Sequence, residues 1–585
     1  MLLRRDAPCI ISPKSHNGSN PRRHIPDVNR RSFLKNTLGA TLLFPGLVGE
    51  GQREQSNPVV RTTNGSVRGI MHGDVAVFLG IPYGGSTRSR RFQPPLPPTP
   101  WVGVRSAFAW GDRAPQLLGR TGMTSRAHSQ QPAEFGQTYH LPPDEGAISE
   151  DCLHLNVWTP ALNASRNERR PVLVYIHGGA YNGGTVNSEL YDGARLARRG
   201  DVAVVTVNHR LNAFGFLYLA GVTADPVYAD SGNVGMLDLV LALKWVQDNI
   251  EQFGGDPTRV TIFGQSGGGA KCATLMAMPP AHGLFHHVMT MSGQQVTAAP
   301  ESLATARTKE FLARLGLQNP PPTRLRAALD ALPLEQLEEA ARVSSAWLPV
   351  VDGRSLPRDP FSPDAPALSN DVPMILGNTQ DETRGLIGES HPQLFSLSWS
   401  ELPEALPKYI GQFLGPVSPA AAIADYREWY PHYSPSDVFF AAATAFRSWP
   451  GQVIEAERRA ESPAQPRTWV YEMDWGSPVA GGRFGAPHTV DIPFFFDNLA
   501  VSPGMVGARA QDVQNAQPLA NLMSDTLIAF ARTGNPNHAG LPRWPAYNLT
   551  TRPTMIWNTT SQILDDPRGR QRRLAAQAQY RQPGT

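Results

Sequence analysis

The chain of 585 residues is long enough for one large α/β domain or for two to three ordinary ones. Apolar residues make up 41% and charged residues 18% of it, a balance that excludes an intrinsically disordered chain. The formal charge of +3 comes from residues 1–50, which hold eight Lys and Arg against three Asp and Glu. The remainder carries 45 basic and 47 acidic residues, a net charge of about −2. Because nucleic-acid binding needs concentrated positive charge, we expect no nucleic-acid partner.

The N-terminal segment has the pattern of an export signal. The run Asn29 to Lys35 reads N-R-R-S-F-L-K and resembles a twin-arginine signal. The apolar stretch that follows, residues 37–48, is too short and too interrupted by glycine to span a bilayer, so we expect no stable membrane insertion. We predict a signal peptide and leader over residues 1–50, a single domain over residues 51–585, and a periplasmic or secreted location. The alternative is a disordered basic tail.

The first predicted elements are short β-runs separated by Asn-Gly and Gly turns, over residues 59–83. They predict an N-terminal antiparallel meander. The proline-rich residues 93–101 predict a loop. Residues 116–148 are polar and without pattern, which predicts a long surface loop covering the entrance to a functional site.

Continuous apolar runs predict buried strands at residues 171–176, 201–207 and 259–263. Between the last two, residues 236–253 have helical periodicity, with one face formed by Leu237, Leu241, Trp245 and Ile250. Strand, helix and strand in this order imply a right-handed parallel crossover. The later predicted elements are strands at 373–376 and 468–473, and helices within 301–345 and 516–532. The fold class predicted is α/β: a large, mostly parallel central sheet with helices on both faces.

The sharpest motif is G-x-S-x-G, which places Ser266 directly after the third buried strand. Residues 270–278 then predict a helix. A tight strand–turn–helix holds the serine in a strained backbone conformation, and the flanking glycines relieve the crowding. Because the following helix directs its positive end at a developing oxyanion, Ser266 is the predicted nucleophile of an acyl-transfer reaction.

A second segment is predicted to complete an oxyanion hole. His177-Gly178-Gly179-Ala180 follows the first buried strand, and glycines let the backbone approach a bound carbonyl closely. The N–H groups of Gly179, Ala180 and Gly267 are therefore the predicted donors. His177 precedes these donors, which favours a structural role for it over a role as a catalytic base.

The order of a triad in such a fold is nucleophile, acid, then histidine. Four histidines follow the acid candidates near residue 382 and remain as bases: His391, His432, His488 and His538. His488 stands in a Gly/Pro loop after a predicted strand, so it is the preferred base. For the acid, Asp381 and Glu382 both follow the strand at 373–376, in the turn G-N-T-Q-D-E. Either carboxylate suits the orientation of an imidazole.

Several blocks together resemble the type-B carboxylesterase and cholinesterase family, over residues 57–570. The blocks are E-D-C-L-H-L-N-V at 150–157, N-H-R-L at 208–211, G-N-V-G-M-L-D at 232–238, the nucleophile run at 263–270, and F-A-R-T-G-N-P at 530–536.

The resemblance implies an α/β-hydrolase fold and the hydrolysis of carboxylic esters through a Ser-His-Glu triad and an acyl-enzyme. It selects Glu382 over Asp381 as the acid, agrees with His488 as the base, and maps the oxyanion donors onto Gly179, Ala180 and Gly267. We expect a small-molecule ester as substrate, with neither a cofactor nor a metal. Oligomeric state has no sequence signal. The alternatives are a non-catalytic binding or adhesion member of the fold, and a hydrolase of amides, thioesters or carbamates.

The chain departs from the family pattern at two places. The cysteine that usually pairs with the E-D-C cysteine is absent, so we expect Cys152 to be unpaired. Gly267 stands where alanine is commoner, a change that keeps the N–H donor and should be tolerated.

Overall fold

Two β-sheets organise the protein in a computed structural model that describes residues 57–116, 144–318, 322–344, 346–464 and 467–583. Residues 55–585 form one compact unit. The predicted signal and leader over residues 1–50 lie outside the described residues, and so does most of the predicted loop at 116–148.

The strands of the described ranges are, in chain order, β1 (Val59–Thr62), β2 (Gly65–Arg68), β3 (Ile70–His72), β4 (Val75–Pro82), β5 (Val104–Ser106), β6 (His154–Thr159), β7 (Arg170–Ile176), β8 (Ala203–Val207), β9 (Gly255–Gln265), β10 (His287–Met291), β11 (Met374–Thr379), β12 (Thr468–Met473), β13 (Pro553–Trp557) and β14 (Gln562–Asp565).

The α-helices of the same ranges are α1 (Ala194–Gly200), α2 (Asn212–Phe216), α3 (Val234–Asn249), α4 (Gly267–Leu275), α5 (Glu301–Arg314), α6 (Pro322–Ala331), α7 (Leu334–Ala341), α8 (Leu402–Leu414), α9 (Pro419–Trp429), α10 (Pro435–Ala443), α11 (Trp449–Glu461), α12 (Ile492–Phe495), α13 (Pro503–Val506), α14 (Ala510–Thr533) and α15 (Gly569–Ala575).

The large sheet has the strand order β14-β13-β12-β11-β10-β9-β7-β8-β6-β4-β3. Its centre, from β13 to β8, is parallel. Both edges are antiparallel, through β14 on one side and through β6, β4 and β3 on the other. This confirms the predicted fold class, because parallel central strands need crossovers, and the helices supply them.

Alternate residues of the central strands enter two different apolar cores. In β7, Val172, Val174 and Ile176 join the core packed against α3, whereas Leu173 and Tyr175 join the core packed against α14. The sheet is therefore buried on both faces, which explains why its strands have continuous apolar sequences instead of alternating ones.

The predicted N-terminal meander is divided between two sheets. β1 and β2 form an antiparallel hairpin that belongs to a small sheet completed by β5, while β3 and β4 form a hairpin at the edge of the large sheet. The separation falls at Gly69, where an added Cβ would lie 2.5 Å from the Val77 carbonyl oxygen. The Asn-Gly and Gly turns predicted the hairpins, but they do not specify which sheet each hairpin joins.

Two helix predictions are also corrected. Helix α4 begins at Gly267, three residues earlier than predicted, so the nucleophile motif itself forms its first turn. The buried face of α3 includes Leu239, Leu243 and Val246, whereas Leu237 and Leu241 are partly exposed. The predicted helical region 301–345 consists of the three separate helices α5, α6 and α7.

Three residues of the family blocks, Arg210, Asp238 and Glu150, take part in buried ion pairs that join distant segments. Arg210 Nη2 lies 2.6 Å from Asp238 Oδ1, and Arg91 Nε lies 2.7 Å from Glu150 Oε1. All four side chains are buried. Since a buried charge is strongly destabilising without its partner, these residues are explained by structure alone.

Cys152 and Cys272 are buried free thiols. No helix in the described part of the chain is long and apolar enough to cross a membrane.

Candidate active site

The predicted site residues follow the carboxyl ends of four strands of the large sheet. β9 leads into Ser266, β7 into the His177–Ala180 segment, β11 into Glu382, and β12 into the loop that carries His488. These strands run parallel in the order β12-β11-β10-β9-β7. Their carboxyl ends therefore meet at one edge, where open α/β sheets place their ligand sites.

Ser266 lies on a tight turn between β9 and α4, the elbow (residues 264–268), with φ 56° and ψ −127°. A non-glycine residue in this region is strained and persists only where its surroundings enforce it. The Ser266 N–H donates to the Met291 carbonyl at 2.7 Å, which helps to hold the turn. A Cβ at Gly268 would lie 2.0 Å from the Ile176 carbonyl oxygen, so only glycine lets the turn approach β7 this closely.

The predicted oxyanion segment has free donors. Gly179 has φ 85° and Ala180 has φ 53°, both in the left-handed region. Within the described residues, neither of their N–H groups donates a hydrogen bond. Gly267 is the first residue of α4, where the backbone N–H has no partner inside the helix.

Gly267 and Ala180 are in close contact. A Cβ at position 267 would lie 2.2 Å from the Ala180 carbonyl oxygen and 2.5 Å from its Cα. Glycine at 267 therefore allows the oxyanion segment to approach the elbow in this conformation, which gives a physical reason for the departure from the family pattern.

His488 and Glu382 are in direct contact through His488 Nδ1 and Glu382 Oε2, and both side chains are buried. The second carboxylate oxygen accepts hydrogen bonds from Asn378 Nδ2 at 3.0 Å and from the Thr379 N–H at 2.9 Å. Burial alone would raise the pKa of Glu382, but the neighbouring His488, together with the Ser292 hydroxyl and the Thr379 N–H, lowers it overall. The glutamate is therefore held as a carboxylate.

The other ring nitrogen of His488 faces the elbow. The side-chain amide nitrogen of Gln265, the residue before Ser266, lies 3.2 Å from His488 Nε2. Because Nδ1 carries its proton toward Glu382, Nε2 is the acceptor nitrogen, the tautomer that a general base for a neighbouring hydroxyl needs.

Asp381 has different partners from its neighbour Glu382. Its carboxylate pairs with Arg384 at 3.0 Å and accepts the Ala486 N–H at 3.0 Å. Its own N–H donates to the Ala486 carbonyl at 2.9 Å. Asp381 thus attaches the turn after β11 to the loop just before His488. The two adjacent carboxylates, which residue chemistry alone left equivalent, therefore have different partners in the structure.

The remaining histidines have local partners instead. His391 Nδ1 lies 3.0 Å from the Ile387 carbonyl oxygen, His538 Nε2 lies 3.1 Å from the Thr526 hydroxyl, and His432 is exposed. His177 is buried and stacked on His209 with ring centroids 4.8 Å apart. Burial lowers the pKa of His177 well below the usual range, which keeps its ring neutral.

Sequence reasoning missed two residues at this site. Gln265 is adjacent to Ser266, but a strand-end glutamine carries no signal of which ring it will meet. Lys271 is a fully buried lysine in α4, and its ammonium donates to the His177 carbonyl at 3.1 Å. A single lysine in the otherwise small and apolar run G-G-G-A-K-C-A-T-L was the available signal.

The chain matches the carboxylesterase family over residues 56–577. It is 34% identical to para-nitrobenzyl esterase of Bacillus subtilis (strain 168) over 524 residues, which cover 88% of this chain and 98% of that protein. It is 32% identical to phenmedipham hydrolase of Pseudarthrobacter oxydans, covering 84% of this chain and 93% of that one.

Solved structures agree with these relatives. Carboxylesterase EST55 of Geobacillus stearothermophilus superimposes with a TM-score of 0.73 at 35% identity, covering 88% of this chain and 99% of that chain. An esterase from Clostridium hathewayi has a TM-score of 0.70 at 31% identity, with 90% and 99% covered. The chain therefore belongs to the carboxylesterase family and is a carboxylic ester hydrolase with the α/β-hydrolase fold.

Proposed function

We propose that the chain hydrolyses esters of small molecules through an acyl-enzyme on Ser266, with His488 as general base and Glu382 as its partner. In the first step, His488 Nε2 accepts the Ser266 hydroxyl proton while the Ser266 oxygen attacks the ester carbonyl. The tetrahedral oxyanion accepts hydrogen bonds from the Gly179, Ala180 and Gly267 N–H groups. Collapse breaks the bond to the alcohol oxygen, which leaves with the proton from His488.

In the second step, water attacks the acyl group on Ser266, and His488 Nε2 accepts a proton from that water. The new tetrahedral intermediate uses the same donors, and its collapse releases the carboxylic acid and returns the proton to the Ser266 oxygen. Glu382 remains ionised throughout and stabilises the imidazolium that forms twice in each turnover.

The observation that carries this proposal is the orientation of the His488 ring. Nδ1 contacts Glu382, whose carboxylate has two further donors, while Nε2 faces the elbow beside Gln265. A buried histidine that served packing alone would have no need of an ionised partner on one side and of an acceptor nitrogen beside Gln265, the residue next to the strained serine, on the other.

The test is Ser266→Ala, measured with p-nitrophenyl butyrate. We expect kcat to fall by about 10³-fold or more, because the nucleophile is lost while binding and oxyanion contacts remain. Ser524→Ala is the matched control, since Ser524 is equally buried but bonds the Ala520 carbonyl within α14. Full activity of Ser266→Ala would refute the assignment of the nucleophile.

Two alternatives differ in their outcome with suitable probes. A non-catalytic binding or adhesion member of the fold would not be labelled at Ser266 by a fluorophosphonate, whereas the proposed triad is expected to react covalently. A preference for amides, thioesters or carbamates would appear as a higher kcat/KM on those analogues than on the matched ester.

We also propose that the chain is exported through the twin-arginine route. The support is sequence alone: Arg30-Arg31 followed by Ser32-Phe33-Leu34-Lys35 and a moderately apolar stretch. Replacing Arg30 and Arg31 together by lysine keeps the charge and is expected to retain the protein in the cytoplasm of a host that has this route. Equal amounts of exported protein with and without the arginine pair would contradict the proposal.

A further inference from the structure

Lys271 is a buried basic side chain directly beneath the proposed oxyanion segment. It lies in α4, five residues after Ser266, and its side chain has no exposed surface. Within the described residues, the His177 carbonyl oxygen is the one acceptor of its ammonium, at 3.1 Å. His177 is the residue from which the segment leaves β7.

In the part of the chain that the structure describes, no carboxylate compensates Lys271. The Cys272 thiol is its buried neighbour in α4, and burial raises the pKa of that thiol above its usual range. The imidazoles of His177 and His209 stack nearby, and both donate Nδ1–H to a carbonyl oxygen at 2.8 Å. The Tyr181 ring centroid lies 5.5 Å from Nζ.

The same helix also holds the far end of the segment. Tyr181 follows Ala180, and its hydroxyl lies 3.1 Å from Thr274 Oγ1 in α4 and 2.9 Å from Gln295 Oε1. Lys271 and Thr274 are three residues apart and therefore lie on one face of α4. The helix that begins at the nucleophile is thus bonded to both ends of residues 177–181.

A bond to the His177 carbonyl affects the donors through the backbone. That carbonyl and the Gly178 N–H share one peptide plane, so fixing the oxygen fixes the plane from which Gly178 and Gly179 continue. Glycine has little steric restriction of its own, so the direction of the Gly179 and Ala180 N–H groups depends on such external contacts. Burial of a lysine amino group with one acceptor is unfavourable, and packing alone gives no reason for it.

We propose that Lys271 is a positioning residue for ester hydrolysis: its N–H bond to the His177 carbonyl holds residues 177–181 so that the Gly179 and Ala180 N–H groups face the oxyanion. The inference rests on the proposed function of Ser266. Lys271 does not touch the substrate in this role, and it acts on the transition state more than on substrate binding.

The test is Lys271→Met, which keeps the length of the side chain and removes the donor. We expect kcat for p-nitrophenyl butyrate to fall by about 10- to 100-fold with KM changed less than about threefold, because misplaced donors weaken transition-state binding. Affinity for a trifluoromethyl ketone, whose adduct with Ser266 carries an oxyanion, is expected to fall by a similar factor.

Arg459→Met is the matched control. Arg459 is also fully buried and also donates to a carbonyl, that of Val372 at 2.7 Å, but Val372 precedes β11 at the opposite edge of the sheet. Loss of the Arg459 guanidinium is expected to leave unchanged the ratio between the Kd of the trifluoromethyl ketone and the KM of p-nitrophenyl butyrate. Lys271→Leu is the second donor-free variant if the methionine protein does not fold.

The outcomes separate the two proposals. An inactive wild-type protein that no fluorophosphonate labels would overturn the proposed function. An active wild-type protein whose Lys271→Met or Lys271→Leu variant keeps kcat within twofold would overturn the role of Lys271 alone. A fall in kcat without loss of affinity for the trifluoromethyl ketone would also overturn it, because the donors would then still be in place.

Discussion

At the scale of single residues, Asp381 and Glu382 show how two adjacent carboxylates acquire different tasks. Glu382 contacts His488 Nδ1, whereas Asp381 bonds Arg384 and the Ala486 N–H. Each side chain is therefore a control for the other, since the same chemical group is removed one residue apart.

We predict that Glu382→Gln lowers kcat by about 10³- to 10⁴-fold with a small change in Tm, because the amide disfavours the required tautomer and cannot stabilise the imidazolium. Asp381→Asn is predicted to lower the free energy of unfolding by about 1–3 kcal/mol, through lost bonds to the loop, with a much smaller loss of kcat. Steady-state kinetics and thermal unfolding of both variants check this. The reverse pattern would assign the acid to Asp381.

Lys271 gives a pH dependence of stability whose sign can be worked out. Burial lowers the pKa of Lys271 from 10.5 to about 7 in the folded protein. Between these values the unfolded chain binds a proton that the folded chain has lost, so this residue's contribution to stability rises with pH across that window. Below about pH 7 both states are protonated, and the buried charge destabilises the fold fully.

We therefore predict that the Tm of Lys271→Met, compared with that of the wild type, is higher at pH 6 than at pH 10, because the wild type carries the buried charge at pH 6. Differential scanning fluorimetry at the two pH values measures it. An equal difference at both would mean that Lys271 has an ordinary pKa in the folded protein.

The sequence contained enough to predict the candidate residues whose chemistry is tied to a local pattern. Ser266 is marked by its glycines, and His488 by its place after the acid and in a Gly/Pro loop. Gln265 and Lys271 could not be found in this way, because their partners, His488 and the His177 carbonyl, lie 223 and 94 residues away in the chain. The small and apolar run around Lys271 is a signal of burial, but nothing local specifies which acceptor its side chain reaches.

At the scale of elements, the segment from β12 to α12 carries His488 and depends on one glycine. Gly485 has φ 59°, and a Cβ there would lie 2.2 Å from Asp381 Oδ2. The turn therefore needs glycine both for its backbone conformation and for the contact that attaches it to β11.

We predict that Gly485→Ala lowers the free energy of unfolding by about 2 kcal/mol or more, because of strain at positive φ and displacement of Asp381. It should also lower kcat, since the loop positions His488. Gly476→Ala is the control in the same loop, where an added Cβ has no atom within 4 Å in the described structure. Urea unfolding of both variants tests the prediction, which fails if the two glycines are equally tolerant.

Strands could be predicted where burial on both faces requires a continuous apolar sequence. β7 and β12 match their predicted ranges to within a residue because strands covered on both faces need continuous apolar runs. The helices α8 to α10 were missed. They pack into a separate apolar core with residues such as Leu406, Phe439 and Phe440. Each has a proline in its first turn and is shorter than the long helices α3 and α14 that flank the sheet.

At the scale of the whole molecule, the site exists because parallel strands bring their carboxyl ends together. Residues 177, 266, 382 and 488 span more than 300 positions of the chain, yet each follows a strand of one continuous block. The family blocks outside the site serve this arrangement, as the buried Arg210–Asp238 pair shows by joining the segment after β8 to α3. The candidate site therefore depends on the parallel block from β12 to β7, whose strands hold its residues at one edge.

We therefore expect the signal and leader assigned to residues 1–50 to be dispensable for folding and catalysis. Every strand of the described ranges lies within the unit that spans residues 55–585, and so do the apolar cores and all the predicted site residues. A chain that begins at Gln52 is therefore expected to have the same Tm, within about 2 °C, and the same kcat and KM as the full chain, because no described contact is removed. The full chain purified in parallel is the control. A Tm lower by several degrees, or a changed KM, would show that residues 1–51 contribute to the folded enzyme and would contradict their interpretation as a leader.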